Sequence, residues 1–167
     1  MEEQKKFTEI ISEGYHPKGD FIHLGAGMLK GEVIPEAAVK IPLKTMNRHG
    51  LIAGATGTGK SKTLQILAEQ LSQKGVPVLL MDVKGDLSGI AKPSEGGKFI
   101  EDRHAKLEIP FEAKASPVEL MSLSEQKGIR LRATVSEFGP VLLARILDLS
   151  PTQTGILAIV FKYCDDN

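Results

Sequence analysis

The chain has 167 residues, 41% of them hydrophobic and 25% charged, a composition that suits one globular domain with a real core. Lys plus Arg and Asp plus Glu both number 21, so the net charge is zero; nothing in that balance announces nucleic acid, although a local basic surface stays open. The single cysteine, Cys164, excludes an intrachain disulfide and is expected to be a small buried hydrophobe in a cytoplasmic protein.

Met1 to Lys6 is polar and no apolar stretch follows, so no secretory signal is expected. No apolar run is long enough to span a bilayer, so no membrane partner is expected. Glu2 to Glu13 predicts a short helix with Phe7, Ile10 and Ile11 on one side, ended by Gly14. Residues 15–19 then read as a turn. Phe21 to Leu24 is a candidate strand, closed by a hairpin turn at Gly25-Ala-Gly27. Val33 to Leu43 carries Pro35 and Pro42, which suits an edge or connecting segment better than a central strand. Asn47-Arg-His49 reads as a solvated turn.

The chain is organised around Leu51-Ile-Ala-Gly-Ala-Thr-Gly-Thr-Gly-Lys-Ser-Lys-Thr63. It fits the phosphate-binding loop G-x-x-x-x-G-K-[ST] at Gly54, Gly59, Lys60 and Ser61. Gly54, Gly57 and Gly59 lack a Cβ, which allows positive φ and close approach of backbone to phosphate. A helix opening at the end of the loop offers free N–H groups and a positive dipole end to an anion. Lys60 is the catalytic lysine of this reading, reaching the β- and γ-phosphates. Ser61 places a hydroxyl on Mg²⁺, which prefers oxygen ligands. The nucleotide-binding residues are Gly54, Thr56, Gly57, Thr58, Gly59, Lys60, Ser61 and Lys62. The flanks agree: Leu51 to Ala53 is an apolar run read as a strand, Leu64, Leu67, Ala68 and Leu71 recur at helical spacing, Gly75 stops that helix, and Val76 to Met81 is the next apolar run. Strand, loop, helix, strand is the setting that this motif requires.

Asp82 follows the second apolar run, where a carboxylate at a strand end faces the ligand crevice of an open α/β sheet. It is a second candidate for the metal. In the additional-strand class of P-loop ATPases, however, the Walker B strand comes later in the chain. Asp82, Lys84 and Asp86 are therefore read either as a site-edge loop or as a polar turn. Ala91 to Ala105 is polar and reads as a mobile surface loop. Leu107 to Phe111, Val118 to Leu123 and Ile129 to Val135 are strand candidates. In the last, Arg130 and Arg132 share a face that binds phosphate, acts across a subunit interface or, as is commoner, is solvated. Gly139-Pro140 starts a helix through Leu149, which excludes Asp148 as a Walker B aspartate. Ser150-Pro-Thr-Gln153 is a capping box for a final helix, with Ile156, Leu157, Val160, Phe161 and Cys164 on one side. No apolar strand ends in Asp-Glu, and no arginine finger stands out.

The runs Asn47 to Ser61, Met81 to Ala91, Arg132 to Arg145 and Thr152 to Leu157 together resemble the bacterial HerA-like (HerA/FtsK-type) ATPases, specifically the YjgR-type group of helicase-like proteins. The blocks cover the chain from about Phe21 onward, and the second and third are more specific than the phosphate loop. The resemblance implies an α/β fold with a RecA-like additional-strand sheet, incomplete at the C-terminus. Residues 1–46 form a small N-terminal, β-containing segment, and 47–167 form the N-terminal portion of the ATPase domain. It implies ATP and Mg²⁺ at Gly57, Gly59, Lys60, Ser61 and Lys62, and a cytoplasmic hexameric ring that moves double-stranded DNA, beside a nuclease partner. Family members are longer, and their Walker B pair lies beyond the position that Asn167 matches, so the expectation is a nucleotide-binding part without Walker B or arginine finger. Lys84, Asp86, Arg132 and Glu137 are carried as site-edge candidates. Two other readings stand beside it. One is a small-molecule kinase using Asp82 and Asp86 as base and positioning group. The other is a nucleotide-binding module that does not hydrolyse.

Overall fold

The computed structural model describes residues 2–166. They form five α-helices and four strands, two long and two of two residues, and the chain divides into two units, Met1–Val118 and Glu119–Asn167.

The first unit opens with α1, Glu2–Tyr15, the predicted helix. Its Phe7 packs on a β-hairpin made of β1, Phe21–Leu29, and β2, Glu32–Pro42, which pair antiparallel. A Cβ on Gly27 would lie 2.8 Å from the Phe7 ring and 3.3 Å from Ala37 Cβ, so glycine there lets helix and hairpin close. The expected turn at Gly25-Ala-Gly27 is corrected: those residues lie inside β1, and the register shifts between His23 and Gly25 and again between Ala26 and Gly27. The reversal comes at Lys30-Gly31, with φ of 52° and 87°, the left-handed pair of a two-residue hairpin turn. Glycines in a strand mark irregular pairing as readily as a turn, and here they absorb bulges. The segment expected as edge or connection over Val33 to Leu43 is mostly β2, an edge strand of this two-stranded sheet that ends at Pro42. Ile22, Ile34 and Ala37 are the hairpin's buried residues.

Helix α2, Lys60–Gln73, packs against β1. Gln70 fixes that contact: its Oε1 accepts from His23 N at 2.8 Å and its Nε2 donates to His23 O at 2.7 Å. Gly75, at φ 75°, ends the helix. Gly75 N donates to Ser72 O and Val76 N to Leu71 O, the paired bonds of a glycine C-terminal cap. Residues 91–105 are not all loop. Helix α3, Lys98–Leu107, packs on β2, and its polar composition lacks the apolar period that announces a helix. Leu107 to Phe111 is no strand, because α3 ends there on Glu108 at φ 54°.

The two apolar runs expected as strands, Leu51 to Ala53 and Val76 to Met81, are not strands among the described residues. Leu51, Leu79 and Met81 are 89%, 81% and 86% exposed. A strand exists only as a partner in a ladder, and the hairpin pairs only with itself. The structure is therefore α/β with two small two-stranded sheets.

In the second unit β3, Met121–Ser122, pairs parallel with β4, Ile129–Arg130. Gly128, at φ 148°, passes so close to Leu120 that a Cβ would lie 2.7 Å from its carbonyl oxygen. The strand expected over Ile129 to Val135 is cut to two residues because a helix competes for its end. Helix α4, Val135–Ile146, starts at a capping box: Thr134 Oγ1 accepts from Glu137 N at 3.3 Å, and Glu137 Oε2 accepts from Thr134 N at 2.9 Å. Gly139 interrupts it at φ 66°, ψ 168°, so Gly139-Pro140 does begin a helical segment, the second half of α4. Asp148, at φ 50°, follows the last turn, where Asp148 N donates to Arg145 O and Leu149 N to Ala144 O. Asp148 is thus a helix terminator, in keeping with its exclusion as a Walker B residue. Helix α5, Pro151–Asp166, packs against α4 behind the predicted box, with Gln153 Oε1 accepting from Ser150 N at 2.9 Å. Cys164 is exposed rather than buried. Only Thr154, Leu157 and Phe161 of α5 are half-covered, a seam too narrow to include it.

Candidate functional site

The loop before α2 is closed by its own side chains. Thr58 Oγ1 donates to Ala55 O at 2.8 Å, and Thr58 N reaches the same oxygen at 3.4 Å. The hydroxyl occupies the space above Gly54, where a Cβ would meet it at 2.6 Å. Gly54 therefore serves close approach, whereas Gly57 and Gly59, at φ 81° and 95°, serve backbone conformation. Lys60 Nζ donates to Ala55 O at 2.7 Å. The lysine is folded onto the loop it would share with a phosphate, and among the described residues it is in no ion pair.

Gly59 is the N-cap of α2, left-handed and with no side-chain cap bond. The first intrahelical bond runs from Thr63 N to Gly59 O at 2.9 Å. The amides of Lys60, Ser61 and Lys62 come before it, and helix geometry gives them no intrahelical acceptor. Ser61 and Lys62 are exposed on the first turn, and Thr56, Gly57 and Thr58 are exposed on the loop. A loop of backbone donors, a helix dipole and one mobile ammonium together suit a phosphate chain. The exposed Ser61 hydroxyl is an oxygen donor of the kind Mg²⁺ takes.

The loop after the second apolar run is built on Asp82. Its Oδ1 accepts from Gly85 N at 2.8 Å and Asp86 N at 3.1 Å, and its Oδ2 from Leu87 N at 2.9 Å and Ser88 N at 3.2 Å. Partial desolvation pulls the carboxyl upward, but the four backbone N–H groups together outweigh it and hold Asp82 below the usual aspartate range. A carboxylate has about four lone-pair sites, and all four are used within the loop. Gln65, only 8% exposed on α2, donates Nε2 to Asp86 O at 2.8 Å, and Leu87 is buried beneath the same turn. The phosphate-loop helix and the Asp82 loop are thus joined by one buried amide. Sequence reading missed Gln65; a glutamine in the middle of an apolar helical face was its only signal. Lys84 and Asp86 are exposed on this loop.

Arg132 and Glu137 belong to the second unit. Arg132 is exposed beyond the end of β4. The Glu137 carboxyl is held below its ordinary range first by the Thr134 backbone N–H and then by the Thr134 hydroxyl, 3.0 Å from Oε2. Its position is that of a helix cap. Among the described residues no group of three or more His, Cys, Asp or Glu could hold a metal, and no helix is long and apolar enough to cross a membrane.

A protein-family model described as "Helicase HerA-like C-terminal" matches residues 28–167. Curated relatives include the DNA double-strand break repair helicase HerA of Sulfolobus acidocaldarius, 44% identical over 48 residues, which are 29% of this chain and 10% of the relative. The protein of the same name from Saccharolobus solfataricus is 40% identical over 48 residues, with the same coverage. An iron-sulfur cluster carrier protein of Clostridium perfringens is 29% identical over 119 residues, 71% of this chain and 40% of the relative. The chain thus covers about a tenth of the length of the curated HerA relatives it matches. No solved structure matches it.

Proposed function

The chain belongs to the HerA-like helicase C-terminal family, and from that premise we propose that it is the Mg-ATP-binding portion of a DNA-acting ATPase. The observation that carries this reading is the glycine-capped start of α2, with Lys60 held on the loop at 2.7 Å from Ala55 O. In this reading the amides from Gly57 to Lys62 bind the phosphate oxygens. Lys60 leaves Ala55 O for the β- and γ-phosphates, exchanging a neutral acceptor for a charged one. Gly54, Thr56 and Thr58 keep the loop closed around them. The Ser61 hydroxyl would hold Mg²⁺, which neutralises charge on the phosphate oxygens when bound. The RecA-like additional-strand sheet belongs to the same proposal: Leu51 to Ala53 and Val76 to Met81 become strands once they have ladder partners. So do a boundary near residue 46, a hexameric ring, double-stranded DNA, a nuclease partner and a cytoplasmic location.

A second reading, nucleotide binding without turnover, is favoured by one observation. Two of the candidate carboxylates are spent on backbone, Asp82 by four N–H groups and Glu137 by its own helix start. The same saturation removes the base from a small-molecule kinase. Asp82 is then a site-edge residue that shapes the loop presenting Lys84 and Asp86, with Arg132 left as an interface candidate. The carrier function in the name of the Clostridium relative would need several thiolates for a cluster, and this chain has one cysteine.

The test is ATP binding and turnover by the 167-residue chain, with and without duplex DNA, beside Lys60→Ala. Binding that falls about 10- to 100-fold in the variant, the loss of a hydrogen bond to a charged group, supports the proposal. Unchanged affinity would sink it. Turnover stimulated by DNA selects the ATPase, and tight binding without turnover selects the second reading.

A further inference from the structure

We propose that a basic cleft between the end of α1 and the open end of the hairpin, separate from the phosphate loop, binds the phosphate backbone of duplex DNA. The choice of DNA rests on the DNA-acting reading above; the cleft itself rests on geometry. It encloses about 270 Å³ and is lined by His16, Lys18, Lys40 and Lys44, with Glu13 as its one carboxylate and Pro17 and Pro42 in its walls. Three lysines line it in a chain whose net charge is zero. Among the described residues none of the three is in an ion pair, and Asp20, the carboxylate closest to Lys18 in sequence, is taken by Lys74 at 3.2 Å.

The cations come from three separate segments that the fold holds together. Leu43 N donates to Asp20 O at 2.9 Å, and Phe21 pairs with Pro42 across the hairpin. These contacts pin residues 16–20 beside residues 40–44. Lys40 Nζ lies 4.5 Å from the centroid of the Phe21 ring, which steers its charge. Lys44 sits in the 3-10 turn Leu43–Thr45, where Thr45 Oγ1 donates to Pro42 O at 2.9 Å. A lysine or histidine just past a helix end is explained by the helix dipole, and that covers His16 and Lys18. It does not cover Lys40 and Lys44, which belong to β2 and the turn after it. Like charges brought together repel unless an anion joins them. The lining residues include no Phe, Tyr or Trp ring, and three of them are lysines, so the cleft suits phosphate better than base and implies no sequence preference.

The experiment is a salt titration of the 167-residue chain against a fluorescent 20-base-pair duplex, read by anisotropy. Neutralising three phosphates contributes a slope of roughly −0.9 each to log affinity against log salt. The triple variant Lys18→Ala, Lys40→Ala, Lys44→Ala should flatten the slope by about two to three, and at low salt it should bind about 10- to 100-fold more weakly. Its circular dichroism and ATP affinity should match wild type. The corresponding triple Arg variant should keep the wild-type slope, which separates lost charge from lost folding. A wild-type chain that does not bind duplex at 50 mM salt, or an Ala variant with unchanged slope, overturns the proposal. So does inorganic phosphate binding that depends on these lysines while duplex binding does not. ATP binding is judged separately through Lys60, so the failure of either site shows on its own arm.

Discussion

Helices α2, α4 and α5 meet the same requirement, N–H groups at the first turn with no partner in the helix, in two opposite ways. α4 and α5 answer it themselves. Thr134 with Glu137 and Ser150 with Gln153 close capping boxes, each with a side chain reaching back to the cap residue's own N–H. α2 begins on a left-handed glycine that offers no side chain. Propensity would favour Ser, Thr, Asp or Asn at that cap. Where a self-satisfied start is available and absent, the local stability given up leaves donors open to an outside anion. The starts of α4 and α5 are closed by their own side chains, whereas that of α2 is uncapped, as is that of α3 on Gly97; in the proposed reading the open donors of α2 meet phosphate.

The largest expected effect that tests this contrast is Lys60→Ala. Nucleotide affinity should fall about 10- to 100-fold, while the thermal midpoint without nucleotide should barely move. A midpoint that drops with affinity would make Lys60 structural and erase the distinction. Gly59→Ala comes next: an L-residue at φ 95° costs about 1–2 kcal/mol, and nucleotide affinity should fall with it, about tenfold. Titration of both variants with a fluorescent ATP analogue reads the two together. Thr134→Ala should lose about 1 kcal/mol, as cap removals do, with ATP affinity unchanged. Urea denaturation alongside the same titration checks it; an altered affinity would give the α4 start a share in the ligand site. The smallest effect is in acid. Because the Asp82 carboxyl is held below its ordinary value, its contribution is complete above the usual aspartate range and fades as the pH falls from about 4 toward the lowered folded value. Asp82→Asn should flatten that acid limb and leave neutral-pH ATP affinity nearly intact. It should also speed hydrogen exchange at Gly85, Asp86, Leu87 and Ser88. Unchanged exchange at those amides would show that the loop does not depend on the carboxylate.

Much of the local structure was legible because its causes lie within a few residues. The phosphate loop, the stop at Gly75 and the box at Ser150-Gln153 each carry their own signal. Thr134-Val-Ser-Glu137 carried the same signal as Ser150, yet the alternation from Ile129 onward read as a strand. The box prevailed because it satisfies two N–H groups at once, whereas the strand had a partner for only two residues. The apolar runs at Leu51 and Val76 show the limit. Apolarity reports that a segment seeks burial; it does not name the neighbour that completes a ladder. Gly25 and Gly27 were ambiguous in themselves, since bulges and turns ask the same freedom of a backbone. For the candidate site, the residues proposed to face the nucleotide are those the motif names. The supporting ones, Gln65 and the four amides around Asp82, were not legible, because their roles depend on a contact spanning 21 residues and on a loop closing on itself.

Gln70 has a consequence beyond the docking of α2. A two-stranded sheet leaves the outer rim of each strand open, and such a rim recruits strands from other molecules. At His23 the outward N–H and C=O are both taken by one glutamine amide, which imitates a neighbouring strand for a single residue. That mimicry blocks the open rim of β1 at His23, so α2 covers one step of the edge along which another strand would pair.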